Sequence, residues 1–411
     1  IHARPDIKRY RESGFHQDLN FFYFTGIQNL TNAILAVDGN LKESWLFVPT
    51  GVEGLQQLAG TTISDDAGEA FAAIGRATGI EHVVSWDRFQ EYIDKGVSSR
   101  FYVATAAASG EDRTADSNPP GMRPIHGSEV LWYESLRERW PGAEFASAAT
   151  MIREMRSIKD ETEIAALRRA GVASSKALLA GLLALSDGTD QRSGEAAVVA
   201  ECLKSGDGIS FWPWVMSGVN GVFPAPFESF GDYRHKNRIM QEGELVRVDI
   251  GCEADFYQGD VGRTAPVSGM FSDGQREAWD LLIAGYRGGL SVMRDGVSWA
   301  MVEQASREAV LAASSEAELA PKTTLGKRAV EILLSEDRMD WHHHNIGLWA
   351  SEPAEATLST GMVIDFEPMF ALDGEGYYLE DMILITSDGH EILTPGLPYT
   401  SKQIEESMAG N

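Results

Sequence analysis

Polar and apolar residues alternate through 244–250, so Leu245, Arg247 and Asp249 fall on one face of a strand. Residues 256–261 follow at once. A two-residue turn at Ala254-Asp255 would make a hairpin in which Asp249 stands opposite Asp260. A second hairpin has the same logic. Residues 362–367 and 378–386 flank Asp373-Gly374, a dipeptide suited to a type I′ turn, which sets Glu367 opposite Glu380. Elsewhere the spacing is helical. Asp160-x-x-Glu163 has capping-box form and precedes Ile164, Leu167, Ala170, Val172, Leu178 and Leu179. The same periodicity predicts helices over 194–204, 275–293, 298–314 and 324–334.

The earlier part of the chain reads as mixed α/β. Residues 33–37 and 44–48 are apolar runs flanking Asp38-Gly39-Asn40, a hairpin signal, and 106–124 is a polar loop rich in Gly, Ser, Asp and Pro. A boundary between 149 and 158 divides the chain into an amino-terminal α/β domain, 1–155, and a second domain, 156–411. In the second, helices alternate with antiparallel hairpins, which predicts α+β rather than a parallel sheet.

The chemistry lies in the hairpins. Carboxylates directly across a strand pair have Cβ atoms about 4.5–5.5 Å apart and repel unless a cation or a shared proton stands between them. One acidic hairpin is common on a solvated strand; two, each inside apolar strands, point to metal. His344, in the run His342-His343-His344, adds one imidazole. Oxygen-rich ligands with a single imidazole suit Mn²⁺, Fe²⁺ or Co²⁺ rather than a thiolate zinc site. Two such ions about 3.5–4 Å apart polarise a carbonyl and activate water.

Bulk properties narrow the class. A net charge of −26 over 411 residues argues against a nucleic-acid or anionic-membrane partner. No run of about 18 apolar residues is present to span a membrane. Cys202 and Cys252 are too few for a disulfide framework, and Cys252 reads as a small buried hydrophobe. Ile1 is not an initiator methionine, so a cytoplasmic location and a periplasmic or secreted one after leader removal both stay open.

The motifs in order are Asp249-Ile250-Gly251, Gly259-Asp260-Val261-Gly262-Arg263-Thr264, His344-Asn345-Ile346-Gly347, Glu367-Pro368 and Glu380-Asp381. They resemble the D-x-G, S-D-x-x-R-T, H-G-x-G, E-P and E-D series of the pita-bread metallopeptidase family: Xaa-Pro aminopeptidases, prolidases, methionine aminopeptidases and creatinase. The resemblance spans roughly 160–408. The segments at 153–165 and 393–405, and Phe21-Phe22-Tyr23-Phe24-Thr25-Gly26, are similar to the prolyl-peptidase branch.

The resemblance implies a pita-bread catalytic domain behind a creatinase/prolidase-like α/β domain that pairs subunits into a homodimer and walls the site. It implies two divalent ions, manganese first, with cobalt, iron and zinc as alternatives. Asp249 and Asp260 would hold both, Asp260 as a bridge. His344 and Glu367 would bind one, Glu380 would bridge, and Glu367 would also be the general base.

Three positions depart from the pattern. Ala225 and Ser351 stand where the peptidases carry histidines that contact the scissile carbonyl, and Tyr378 replaces an arginine two before the last ligand. His235, in 227–238, reads either as an exposed loop residue or as a substitute donor; His342, His343 and Tyr257 are further substitutes, with Tyr257 and Ser351 facing substrate. The implied function is metal-dependent cleavage of an amide next to proline in a small peptide. The alternatives are a non-peptidase enzyme of the fold (creatinase-, ectoine-hydrolase- or sulfonio-acid-lyase-like) acting on a small amide or zwitterion, and a catalytically silent binding module.

Overall fold

The computed structural model describes residues 17–49, 67–95, 100–104, 128–222 and 236–409. The polar loop expected at 106–124, together with Ala225 and His235, lies outside the described residues. The chain divides into two compact units, Ile1–Met155 and Arg156–Asn411.

In the first unit, β1 (Ile34–Asp38) and β2 (Glu43–Val48) form the hairpin expected around Asp38-Gly39-Asn40, with Val37 opposite Ser44. Asp38 Oδ1 accepts the backbone N–H groups of Asn40 and Leu41, which closes the loop. β3 (His82–Ser85) runs parallel to β2, and β4 (Arg100–Val103) parallel to β5 (Glu144–Ser147). Phe21, Leu35, Leu46, Val48 and Ile74 form a core between helix and sheet. Phe21 belongs to the helix Leu19–Thr25, which Asp18 caps and Gly26 ends in the left-handed conformation.

The second unit begins with the helix Glu161–Leu183, whose Asp160 and Glu163 form the expected capping box. Helices at Gln191–Ser205, Asp273–Leu290, Trp299–Ala313 and Thr324–Leu333 match the periodic segments to within a few residues. Short strands β6 (Gly208–Ile209), β9 (Cys252–Ala254) and β10 (Tyr257–Gln258) pair antiparallel. The main sheet is antiparallel throughout. It joins β12 (Asp340–Asn345), β13 (Val363–Leu372), β14 (Glu375–Ile385), β11 (Val261–Pro266), β8 (Leu245–Ile250) and β7 (Trp214–Ser217) in that spatial order. A further strand, β15 (His390–Ile392), also pairs with β14. Leu178, Val248, Leu282, Tyr286, Trp341 and Phe366 belong to one core that the helices and this sheet share. Every residue of β8 and β11 is buried, so the strands' polar face is enclosed as well. Charged side chains in such strands need partners.

The two hairpins differ from each other in how they meet expectation. In the second, Asp373 and Gly374 take φ of 54° and 82°, both positive as a type I′ turn requires. Phe366 pairs with Asp381 and Met369 with Tyr378, so Glu367 faces Glu380 as expected. In the first, the turn is at Asp255-Phe256, with φ of 51° and 70°, one residue beyond the expected Ala254-Asp255. Ala254 then pairs with Tyr257, and Asp249 opposes Gly262, not Asp260. The two aspartates become diagonal neighbours on one face, a spacing of about 7–8 Å between positions. That keeps the two charges apart and leaves room between them.

The cysteines also correct expectation: Cys202 and Cys252 form a disulfide across 50 residues, tying the helix Gln191–Ser205 to β9. A loop of that length lies in the range where a cross-link stabilises by about 2–4 kcal/mol. The Cys202→Ser, Cys252→Ala double variant is expected to lose that amount in urea unfolding. A midpoint equal to that of the oxidised wild type would show that the cross-link adds nothing.

Candidate metal centre

Strand alternation builds the site. On β12, His342 and His344 share a face; on β13, Asp365 and Glu367; on β14, Tyr378 and Glu380; on β8, Arg247 and Asp249. Asp260 sits just ahead of β11. These faces converge. One ligand atom each from Asp260, His344, Asp365 and Glu380 lies within 4.8 Å of the others. Glu367 Oε1 is 3.3 Å from His344 Nε2. The Tyr378 hydroxyl donates to Glu380 Oε2 at 2.6 Å and reaches Glu367 Oε2 at 3.1 Å. Arg247 Nη2 donates to Asp249 Oδ2 at 2.8 Å.

Tyr378 stands where the motif has arginine, and the guanidinium of Arg247 lies 3.6 Å above its ring. Gly262 makes this possible, because a Cβ there would come within 2.0 Å of Tyr378 Cε1. A positive charge therefore reaches the first aspartate from β8 rather than from β14.

The electrostatics are those of a crowded anionic cavity. Burial, then Asp365, Asp249 and Glu367, hold the Asp260 carboxyl well above its usual range. Burial, then Asp260 and Glu367, does the same for Glu380. Burial also raises Asp249, against the opposing pull of Arg247. Glu367 is the exception: burial opposes its ionisation, but the hydrogen bond and charge of His344, with His342 and Arg247, hold it low. Asp260 Oδ1 and both oxygens of Asp365 have no hydrogen-bond partner. Buried carboxylate oxygens left bare, gathered around one imidazole, fit a divalent cation with mainly oxygen ligands.

The other expected residues are placed differently. His343 points away from the cluster, stacked on Trp299 at 3.6 Å between ring centroids, with Nε2 3.1 Å from the Glu355 carbonyl. Burial lowers its pKa to about 4. Neighbours of a strand residue necessarily face the other way, so His343 cannot share a face with His344. The Tyr257 hydroxyl donates to Glu163 at 3.0 Å. Ser351 is exposed, next to Glu352, which pairs with Arg156 and Lys159. His342 is 46% exposed, with Nε2 3.6 Å from Glu367 Oε1, and a hydrogen bond with Asp340 raises its pKa. Asp365 was missed by sequence reasoning, although its i, i+2 spacing from Glu367 is the signal that would have found it.

An antiparallel sheet closing on a buried carboxylate and histidine cluster defines a metallohydrolase-type site. The model for metallopeptidase family M24 matches residues 165–387, more than half the chain, and the chain belongs to that family. It is a metallohydrolase, and the family implies divalent metal ions. It is 27% identical over 444 residues to the Xaa-Pro aminopeptidase of Escherichia coli (strain K12), covering 99% of this chain and 92% of that one. It is 24% identical over 414 residues to Xaa-Pro aminopeptidase 3 of Mus musculus, covering 95% and 76%. Among solved structures, proline aminopeptidase P II from Yersinia pestis superposes with a TM-score of 0.73 at 24% identity, covering 100% and 94%. Aminopeptidase P from E. coli with the inhibitor Pro-Leu gives 0.72 at 24%, covering 100% and 93%. The fold these share is the expected α+β pita-bread domain, preceded in the chain by an amino-terminal α/β domain. No helix among the described residues is long and apolar enough to cross a membrane.

A pH dependence follows from the cluster. Asp249, Asp260, Asp365 and Glu380 all have raised carboxyl pKa values in the folded protein without metal. The folded state then binds more protons than the unfolded one, so stability falls as pH rises above the unfolded values of 3.8 and 4.5. The gap in melting temperature between metal-loaded and chelator-stripped protein is therefore expected to widen from about pH 5 to pH 8. A gap that is constant or shrinks with pH would contradict this electrostatic picture.

Proposed function

We propose that this protein is a dinuclear metallohydrolase that cleaves the amide bond next to proline in small peptides, as an Xaa-Pro aminopeptidase or dipeptidase does. The observation that carries this reading is the buried set of Asp249, Asp260, His344, Glu367 and Glu380, in which Asp260 Oδ1 has no hydrogen-bond partner. It is supported by relatives named Xaa-Pro aminopeptidase that align over nearly the whole chain.

When bound, two divalent cations supply the charge that polarises the scissile carbonyl and acidifies water. Asp249, Asp260, His344, Glu367 and Glu380 hold them, and the oxygen-rich donor set favours manganese. Glu367, kept ionised beside His344, accepts a proton from water and returns it to the leaving nitrogen. The Tyr378 hydroxyl fixes Glu367 and Glu380 side by side. Arg247 donates to Asp249, which orients the carboxylate and opposes the effect of its burial. His342, half exposed beside Glu367, serves as a carbonyl-side donor in place of the histidine that Ser351 replaces. His342→Ala is expected to lower kcat about 10²-fold with metal content unchanged. An unaltered kcat would remove His342 from the mechanism. The unit Ile1–Met155 pairs subunits in this reading, so light scattering is expected to show a dimer, and a monomer at micromolar concentration would exclude it.

The decisive experiment combines metal analysis with a peptide assay. Protein carrying two metal equivalents should release the amino-terminal residue from Xaa-Pro peptides and not from the same peptides with alanine for proline. Metal without proline-dependent cleavage would favour the small-amide or zwitterion alternative. No metal would favour a binding module.

A further inference from the structure

Asp365 lies two residues before Glu367 on β13, directly across from His344 on β12. Its side chain is fully buried, and neither oxygen has a hydrogen-bond partner. Another buried carboxylate on the same sheet shows what compensation looks like. Asp381 accepts two bonds from Arg263, one from Tyr286 and one from Thr394. Asp365 has nothing comparable. The nearest imidazole atom, His344 Nδ1, is 3.7 Å from its Oδ2, beyond hydrogen-bond reach, and that nitrogen is 3.1 Å from the carbonyl of Asn345. This leaves His344 Nε2 turned toward Glu367 and Glu380.

An uncompensated buried carboxylate costs several kcal/mol. Protein groups do not offset that cost here, but a cation would. Ligand atoms around one divalent ion, at roughly 2.0–2.3 Å from it, are at most about 4–4.6 Å apart. The Asp260, His344, Asp365 and Glu380 donor atoms lie within 4.8 Å of one another, so a small inward adjustment closes a shell. The charges also close: Asp249, Asp260, Asp365, Glu367 and Glu380 are five carboxylates, matched by two divalent ions and Arg247.

We propose that Asp365 is an additional metal ligand, bound directly to the ion that takes Asp260, His344 and Glu380. This rests on reading the cluster as a metal centre and adds to it a donor that the motif series does not include. The extra carboxylate makes that position harder and more highly coordinated, favouring Mn²⁺ over Zn²⁺.

The test is calorimetric titration of chelator-stripped protein with MnCl₂, comparing wild type with Asp365→Asn, which keeps the shape and removes the charge. Wild type is expected to take two ions per chain. Asp365→Asn is expected to weaken one of them by more than about 100-fold, beyond the 10–100-fold that an outer hydrogen-bonding partner costs. The stripped variant is expected to melt at or above stripped wild type, which shows that it folds. Two ions in wild type, with the variant weakened by less than about 100-fold at both sites, would overturn the ligand assignment and leave the metal centre standing. No binding by wild type would overturn both. As a second readout, a crystal of manganese-loaded wild type should place an Asp365 oxygen about 2.0–2.4 Å from an ion. A separation above about 3 Å would overturn the proposal.

Discussion

Replacing Asp260 by alanine is expected to remove divalent metal from the protein and to lower kcat/KM at least about 10³-fold. Asp260 lies in the first hairpin, just ahead of β11 and diagonal to Asp249, where burial and the charges of Asp365, Asp249 and Glu367 raise its pKa. Its Oδ1 is buried without a partner, so nothing in the protein already claims that oxygen. Alanine leaves the remaining carboxylates without the donor that lets ions sit among them. The fold itself should survive, because deleting one of several mutually repelling buried charges relieves strain in the stripped state. Stripped Asp260→Ala should therefore melt no lower than stripped wild type, while metal analysis and kinetics show the loss. Full metal occupancy with wild-type turnover would refute the assignment of Asp260.

Arg263→Ala is expected to cost about 3–5 kcal/mol of stability. The guanidinium is fully buried. It donates to both oxygens of Asp381 at 3.0 and 3.1 Å, to the Pro398 carbonyl at 2.8 Å and to the Glu380 carbonyl at 2.7 Å. It also lies 4.7 Å from the ring of Tyr399. Alanine would leave Asp381, itself fully buried, with hydroxyl donors such as Tyr286 and Thr394 and no cation among the described residues. An unpaired buried charge is the expensive part of that loss, since the ion pair itself is close to neutral in free energy. Arg263→Lys should recover little, because an ammonium cannot reproduce the planar fork. Denaturant unfolding measures the effect, and a loss below about 1 kcal/mol would show that the network is dispensable. Because Arg263 braces the Glu380 backbone, weaker metal affinity should accompany the lost stability.

The two hairpins show where legibility ends. Asp373-Gly374 is a turn whose backbone demands are local, and positive φ at both residues is easily met by Asp-Gly. Its register, and with it the facing of Glu367 and Glu380, could be read directly. The turn at Asp255-Phe256 places a phenylalanine at φ 70°, which no local preference selects. That register comes from the burial of β8 and β11 and the disulfide at Cys252, all of them nonlocal. The helices were legible because capping and periodicity are short-range, as at Asp160 and Glu163.

The sequence by itself determined the order and identity of the acidic motifs, the second hairpin's register and the helical segments, because each depends on residues a few positions apart. Tertiary structure decided the rest. It brought Arg247 from β8 over Tyr378 on β14. It joined Cys202 to Cys252 and left Asp365 bare among the site carboxylates. Each of these depends on which strands become neighbours, and that is set by burying a common core rather than by local preference.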